Sequence, residues 1–325
     1  MSTRPAASIS VDLDNKWAYL RAAGRDDWEN CSSYLPMVIE RMIDLLGSCE
    51  LPLTVFLVGR DLRSSDDVNA IERFNTLQSW EPANHSYNHL PWMHTLDTDA
   101  IRDEIESTHH AIETSFGRPP RGFRGPGFSC PDEVLSVLTE WNYLYDASIF
   151  PTSMAPIARA VFLARTRLRG EQRDRAKKLY GGMASMRKPN RPYLREIRGR
   201  SLCEIPVTVM PLIRTPIHFS YLNFIAGFNV TLAKTYFRAA LATCRRLDVP
   251  PSLLLHPPDF LGCEDDSDMA YLPGMTTTRS RKLDFMKWAL SLYASQFDVT
   301  TMIKQVQPDC ATENAVAPLF GQAFN

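Results

Sequence analysis

Short apolar runs alternate with stretches of helical period along most of the chain. Residues 8–13, Ser-Ile-Ser-Val-Asp-Leu, alternate as a strand does, and Met37, Ile39, Ile43 and Leu46 then recur at roughly helical spacing. Residues 54–58 form a second strand-like run closed by Gly59, residues 67–80 predict a helix, and Glu81-Pro-Ala-Asn84 reads as a turn. A long helix is predicted over 98–116, where Ile101, Ile105, Ile112 and Phe116 line one face. Gly117-Arg-Pro-Pro120 ends it, 122–124 is a short strand, and Pro131, preceded by Ser129 and Cys130, marks another helix start. Strands near 144–146, 202–207 and 252–255 and helices near 232–246 and 280–295 complete the pattern. Such alternation implies parallel strands covered by helices, an α/β sheet or barrel. No internal repeat appears. Residues 1–304 read as one domain in which 151–200 break the rhythm as an insertion, and 305–325 read as a disordered tail.

Composition narrows the class without deciding it. The 325 residues are 44% hydrophobic and 22% charged, which excludes wholesale disorder, collagen and coiled coil. No apolar run reaches the ~18 residues of a membrane-spanning helix. A strand begins within a few residues of Met1, which leaves no room for a signal peptide. Seven scattered cysteines without a Cys-x-x-Cys pair suggest reduced thiols and a cytoplasmic location, not a disulfide framework or a cysteine zinc site. The net charge of −1 conceals an asymmetry, because residues 159–200 hold 14 Lys/Arg against three acids. That segment suits an anionic partner, although it lacks the interleaved aromatics of an RNA module.

Four polar clusters fall at or just after predicted strand ends, where α/β folds place their chemistry. Asp12-Leu-Asp14 puts two carboxylates on one side of a strand, which is costly unless a cation or proton is shared; a solvated strand end is the plain alternative. His85 and His89, four apart, would share a helix face and reach one metal; surface pairs also arise by chance, and His109-His110 is read as such a pair. Arg124, in the loop Arg121-Gly-Phe-Arg-Gly-Pro-Gly-Phe-Ser129, could meet a carboxylate or sit in an ordinary Gly/Pro turn. His256 closes an apolar strand before Pro257 and fits either a buried structural histidine or a general acid.

In this order the clusters resemble the polysaccharide deacetylase family, the NodB-homology group also called carbohydrate esterase family 4. The resemblance covers residues 8–150 and 201–260, with His85-Ser-Tyr-Asn-His89 its most specific element and Tyr145-Asp-Ala-Ser and Glu204-Ile-Pro-Val further matches. Two departures stand out: Asp12-Leu-Asp14 replaces adjacent aspartates, as in an intracellular branch, and Gly127-Phe128 replaces Tyr-Gly. The resemblance implies a distorted (β/α) barrel with fewer than eight strands, and a metal-dependent hydrolase removing an N-acetyl group from an amino sugar, in a glycan or glycolipid precursor. It implies one divalent ion on Asp14, His85 and His89, zinc foremost, with cobalt, nickel, manganese or iron as substitutes. Asp12 would be the base, Arg124 its partner, His256 the acid, and Asp146 the group orienting His256. A small non-sugar amide as substrate, and an inactive carbohydrate-binding relative, are the alternatives. Residues 151–230 combine basic residues with apolar and aromatic ones, as a protein at an anionic inner membrane surface would, and a solvated cap is the plain reading.

Overall fold

A computed structural model describes residues 4–306 apart from 167, 169, 171–173 and 175–184. Among the described residues nine strands form one sheet: β1 (Ala6–Asp12), β2 (Leu53–Leu57), β3 (Trp80–Asn84), β4 (Gly122–Phe123), β5 (Tyr145–Asp146), β6 (Tyr193–Ile197), β7 (Arg200–Glu204), β8 (Ser252–Leu255) and β9 (Asp298–Thr300). Their order is β6-β7-β5-β4-β3-β2-β1-β8, with β9 beside the start of β1. The wall from β8 through β1 to β5 and β7 is all parallel, seven strands, and β6 adds an antiparallel edge. The sheet curls until the chain after β7 meets β8: Thr208 N–H donates to the Ser252 carbonyl at 3.2 Å, and Ser252 N–H donates to Thr208 Oγ1 at 2.7 Å. This is the expected distorted barrel.

Residue parity along β1 explains how the barrel carries a polar interior. Ala7, Ile9, Val11 and Leu13 point outward into the main core. There they meet α2 (Leu35–Gly47), α8 (Val230–Arg246) and α9 (Arg279–Gln296), each by a buried apolar stripe such as Val38, Ile39 and Met42. Ser8, Ser10 and Asp12 alternate with these residues and, though polar, are buried. A one-residue slip would exchange the two sets. Among the described residues the other helices are α1 (Lys16–Ala22), α3 (Ser65–Glu72), α4 (Thr98–Phe116), α5 (Asp132–Glu140), α6 (Ala155–Arg165), α7 (Phe219–Phe228) and α10 (Met302–Gln305). The Asp97 side chain caps the first turn of α4, and Gly117, at φ 66°, ends it in the left-handed conformation.

Several sequence expectations change. Residues 67–80 are not one helix: α3 ends at Glu72, a 3-10 turn follows, and Trp80 opens β3. Glu81-Pro-Ala-Asn84 is a strand, not a turn. Pro82 is tolerated because the bonds to β2 alternate past it (Leu53 N–H to Ser79, His85 N–H to Leu57), while β4 first meets β3 at Asn84. Part of the expected insertion belongs to the sheet as β6, and most of its basic centre lies outside the described residues. Of the expected tail, 305–325, the structure describes the first two residues. Gln305 and Val306 are buried, and α10 seals the barrel floor, its Met302 and Ile303 N–H groups donating to Thr54 Oγ1 (2.8 Å) and Glu81 Oε2 (3.0 Å). Residues 307–325 lie outside the described residues. Among the described residues no helix is long and apolar enough to cross a membrane.

Candidate active site

Asp12, Asp14, His85, His89, Arg124 and His256 converge at the C-terminal ends of β1, β3, β4 and β8. Asp12 is the last residue of β1 and Asp14 lies just beyond it. Both carboxylates are buried. His85 and His89 reach the same point, although no helix brings them there. They sit on a loop after β3, with Ser86 at φ 60° and His89 at φ 49° folding the backbone so that the two rings lie 5.0 Å apart. Their proximity therefore comes from left-handed turns, not from helical spacing. The loop is fixed by Arg21, whose guanidinium donates to the carbonyls of Asn88 and His89, and by Glu104, which accepts from Asn88 N–H (2.8 Å) and Nδ2 (2.7 Å).

One oxygen organises the first half of the site. Oδ1 of Asp14 lies 3.3 Å from His85 Nε2 and 3.0 Å from His89 Nε2, is buried, and has no hydrogen-bond partner. A ligand atom from each of the three side chains falls within 4.8 Å of the others. His85 Nδ1 donates to the Arg124 carbonyl at 2.6 Å; that oxygen can only accept, so Nε2 keeps its lone pair for the site. Two imidazole nitrogens and a carboxylate facing one small volume fit a divalent ion such as zinc. Burial alone would raise the Asp14 carboxyl, but His89 and His85 overcome it and hold the group well below the usual carboxylate range. Burial lowers His89; in His85 the same burial is outweighed by Asp12 and Asp14, which raise it.

The other half is centred on Asp12. Its Oδ1 accepts from Arg124 Nη1 at 2.6 Å, and its Oδ2 stands 3.8 Å from both His85 Nε2 and His256 Nε2. Arg124 is fully buried yet satisfied: Nη1 also donates to Ser10 Oγ (3.0 Å), Nε donates to the Ala147 carbonyl (2.9 Å), and the guanidinium lies 4.1 Å over the Phe56 ring. The loop carrying it turns tightly. A side chain at Gly125 would meet the Ser129 carbonyl oxygen at 2.0 Å, so only glycine fits.

Asp146 does not orient His256. It accepts from Ser148 Oγ at 2.6 Å and Cys130 Sγ at 3.4 Å and sits beside Glu204, whose carboxyl is raised by burial and by the Asp146 charge. Besides Asp12, the carboxylate next to His256 is Asp259, which accepts from the His256 backbone N–H at 2.9 Å and from Asn223 Nδ2 at 3.1 Å. Helix α7 and the residue capping it supply two further neighbours that the sequence reading missed. Ser220 Oγ is 3.2 Å from His256 Nδ1, and the His218 ring lies 5.9 Å from that of His256. Burial first, then His256 and Arg124, hold His218 well below its ordinary value. The sequence signal for these residues was faint: a lone His and Ser in an apolar run, and an acid three residues beyond His256. His109, read with His110 as a chance surface pair, is instead buried, its ring packed against Trp141 and Tyr143.

Residues 26–145 match the family model for polysaccharide deacetylase. Over those 120 of its 325 residues the chain is similar to the polysaccharide deacetylase family. The fold of that family is seen in a Mycobacterium smegmatis protein classed with the polysaccharide deacetylases, with a TM-score of 0.61 at 16% identity over 100% of this chain and 96% of that one. A Pseudomonas aeruginosa PAO1 structure of the same description gives 0.58 at 13% identity, over 95% and 91%. The uncharacterised protein YlxY of Bacillus subtilis strain 168 is 30% identical over 102 residues, and the match spans about a third of the length of each chain, 31%.

Proposed function

We propose that the chain is a metal-dependent amide hydrolase that removes an N-acetyl group from an amino sugar, in a glycan or glycolipid precursor. One observation carries this reading: Asp12 Oδ2 lies equally far, 3.8 Å, from a nitrogen of the Asp14–His85–His89 cluster and from His256 Nε2. A base and an acid thus flank one volume beside a metal-type donor set. Asp14, His85 and His89 would hold the ion, zinc foremost, which when bound polarises the amide carbonyl and makes water more acidic. Asp12, oriented by Arg124, accepts the proton of the attacking water. His256 gives its Nε2 proton to the amide nitrogen as the C–N bond breaks, so acetate and a free amine leave. Incubation of the zinc-loaded protein with N-acetylglucosamine oligosaccharides should release acetate in step with free amine. No release from these, with turnover of a small formamide or cyclic ureide, would move the substrate to the non-sugar class.

We further propose that 151–230 meets an anionic membrane surface from the cytoplasmic side. In support, Leu212 (83% exposed), Ile213 (58%) and Ile157 (56%) stand out to solvent beside the basic residues Arg159 and Arg214. Ser153, at the start of α6, donates to the Ile213 carbonyl at 3.0 Å and ties the two segments together. Flotation with phosphatidylglycerol vesicles at low salt should carry the protein upward, and replacing Leu212 and Ile213 by Ser should abolish it; a wild type that stays at the bottom removes the proposal.

A further inference from the structure

Asp259 and His256 do not meet through their side chains. Between them stands Ser220, the second residue of α7, with its Oγ 3.2 Å from His256 Nδ1 and 3.3 Å from Asp259 Oδ2. We propose that Ser220 is a positioning residue that relays the Asp259 carboxylate to His256, fixing the tautomer and orientation of the acid. The inference rests on the hydrolase reading for its consequence but not for its geometry.

Proton counting sets the direction of the relay. Asp259 Oδ2 already accepts from His256 N–H at 2.9 Å, and Oδ1 accepts from Asn223 Nδ2 at 3.1 Å, so this carboxylate serves as acceptor at both oxygens. The one hydroxyl proton of Ser220 therefore goes to Asp259, which turns an Oγ lone pair toward His256 Nδ1. Nδ1 must then carry a proton. The nitrogen that gains and loses the second proton is Nε2, on the side of Asp12 Oδ2. When the ring is doubly protonated, its charge is stabilised through the hydroxyl by Asp259. The carboxylate is itself locked in a buried pocket whose rim is pinned by Lys282, donating from Nζ to the Pro258 (3.0 Å) and Leu261 (2.7 Å) carbonyls. A direct Asp–His contact would leave Ser220 without purpose. Here the hydroxyl is the connecting atom, and it comes from a helix that no strand-end motif announces.

The relay makes a prediction that a merely structural serine does not. Acid catalysis matters when the leaving group is an amine, which cannot depart unprotonated, and hardly matters for an aryl alkoxide. Ser220→Ala in the full-length zinc-loaded protein should lower kcat on an N-acetylglucosamine oligosaccharide at least tenfold with KM within twofold. Its hydrolysis of 4-nitrophenyl acetate should stay within twofold of wild type, and Ser220→Thr should restore most of the amide activity. Equal losses on both substrates, or no loss on either, overturn the relay. A second measurement is independent of turnover: ¹⁵N NMR of the labelled histidines should show neutral His256 protonated at Nδ1, with the population shifting to the Nε2–H tautomer in Ser220→Ala. An unchanged tautomer overturns the relay even if the enzyme is active. If the wild type hydrolyses neither probe, the hydrolase reading fails, and the tautomer shift alone sustains or overturns the relay.

Discussion

The two halves of the site are built by different means. On the side of Asp14, His85 and His89, every side chain comes from a strand end or the loop leaving it, and all three are buried. On the side of His256, the histidine, Asp12 and Arg124 come from strand ends, but Ser220 comes from α7, His218 from the residue capping it, and Asp259 from a 3-10 turn. The first half is a cluster held by a strand end and by a loop that Arg21 and Glu104 brace. The second is an orientation device whose geometry depends on a helix packed across the barrel mouth. Ligand placement tolerates little movement and would rest on a strand end and a braced loop, whereas proton delivery requires only that one ring face the right way.

The largest effects should follow from breaking the Asp14–His85–His89 side or the Asp12 base next to it. His85→Ala or His89→Ala should abolish stoichiometric zinc, measured by elemental analysis of the purified protein, and with it turnover. Asp12→Asn should keep the metal yet cost about 10²–10⁴-fold in kcat, because a carboxamide cannot accept the water proton. Full zinc in the double histidine variant would dissolve the distinction between the halves; near-normal turnover in Asp12→Asn would move the base elsewhere.

A smaller effect separates the two acids that compete for the role of orienting His256. Asp259→Asn should lower kcat on an N-acetylated oligosaccharide by about tenfold or more, since its oxygens contact His256 N–H and Ser220 Oγ. Asp146→Asn should leave kcat within about threefold while lowering thermal stability by on the order of 1–3 kcal/mol, because its buried bonds go to Ser148 and Cys130. The reverse ranking in kcat would restore Asp146 as the orienting group.

This division also explains what was legible in the sequence. Asp12, Asp14, His85, His89, Arg124 and His256 stood out because strand ends are short, punctuated and polar, so each candidate was anchored to an element. The strand β3 was hidden by Pro82, which is harmless only because β4 pairs so late, and local composition says nothing about a neighbour's register. Helix α7 was hidden by its own composition: a run apolar on nearly every side has no helical stripe to detect. Asp146 was assigned to His256 because both lie near strand ends. Which of two buried acids touches an imidazole depends on the curl of the sheet, and that is decided by long-range packing.

The smallest effect concerns a carboxyl beneath the first half. Asp61 Oδ1 accepts from Trp17 Nε1 at 2.7 Å and Asn15 Nδ2 at 3.1 Å, so it braces the turn just after Asp14, while its buried Oδ2 has no hydrogen-bond partner. Burial is the main cause that pushes this group from its ordinary 3.8 up to about 7. A carboxyl raised by folding contributes its full stability only below its unfolded value, where both states hold the proton. Between pH ~4 and ~7 the unfolded chain loses that proton and the folded chain keeps it, so stability falls as pH rises across this window and levels off above it. Asp61→Asn keeps the Oδ1 acceptor and removes the titration. At pH 8.5 the variant should therefore melt about 2–6 °C above wild type, on the order of 1–2 kcal/mol, and the gap should shrink to nothing or reverse by pH 4. Melting curves of both proteins without metal, compared at matched pH so that the site histidines cancel, measure it. A gap independent of pH would show that Asp61 is ionised in the folded protein, and the brace under the metal-side loop would then be a charged one.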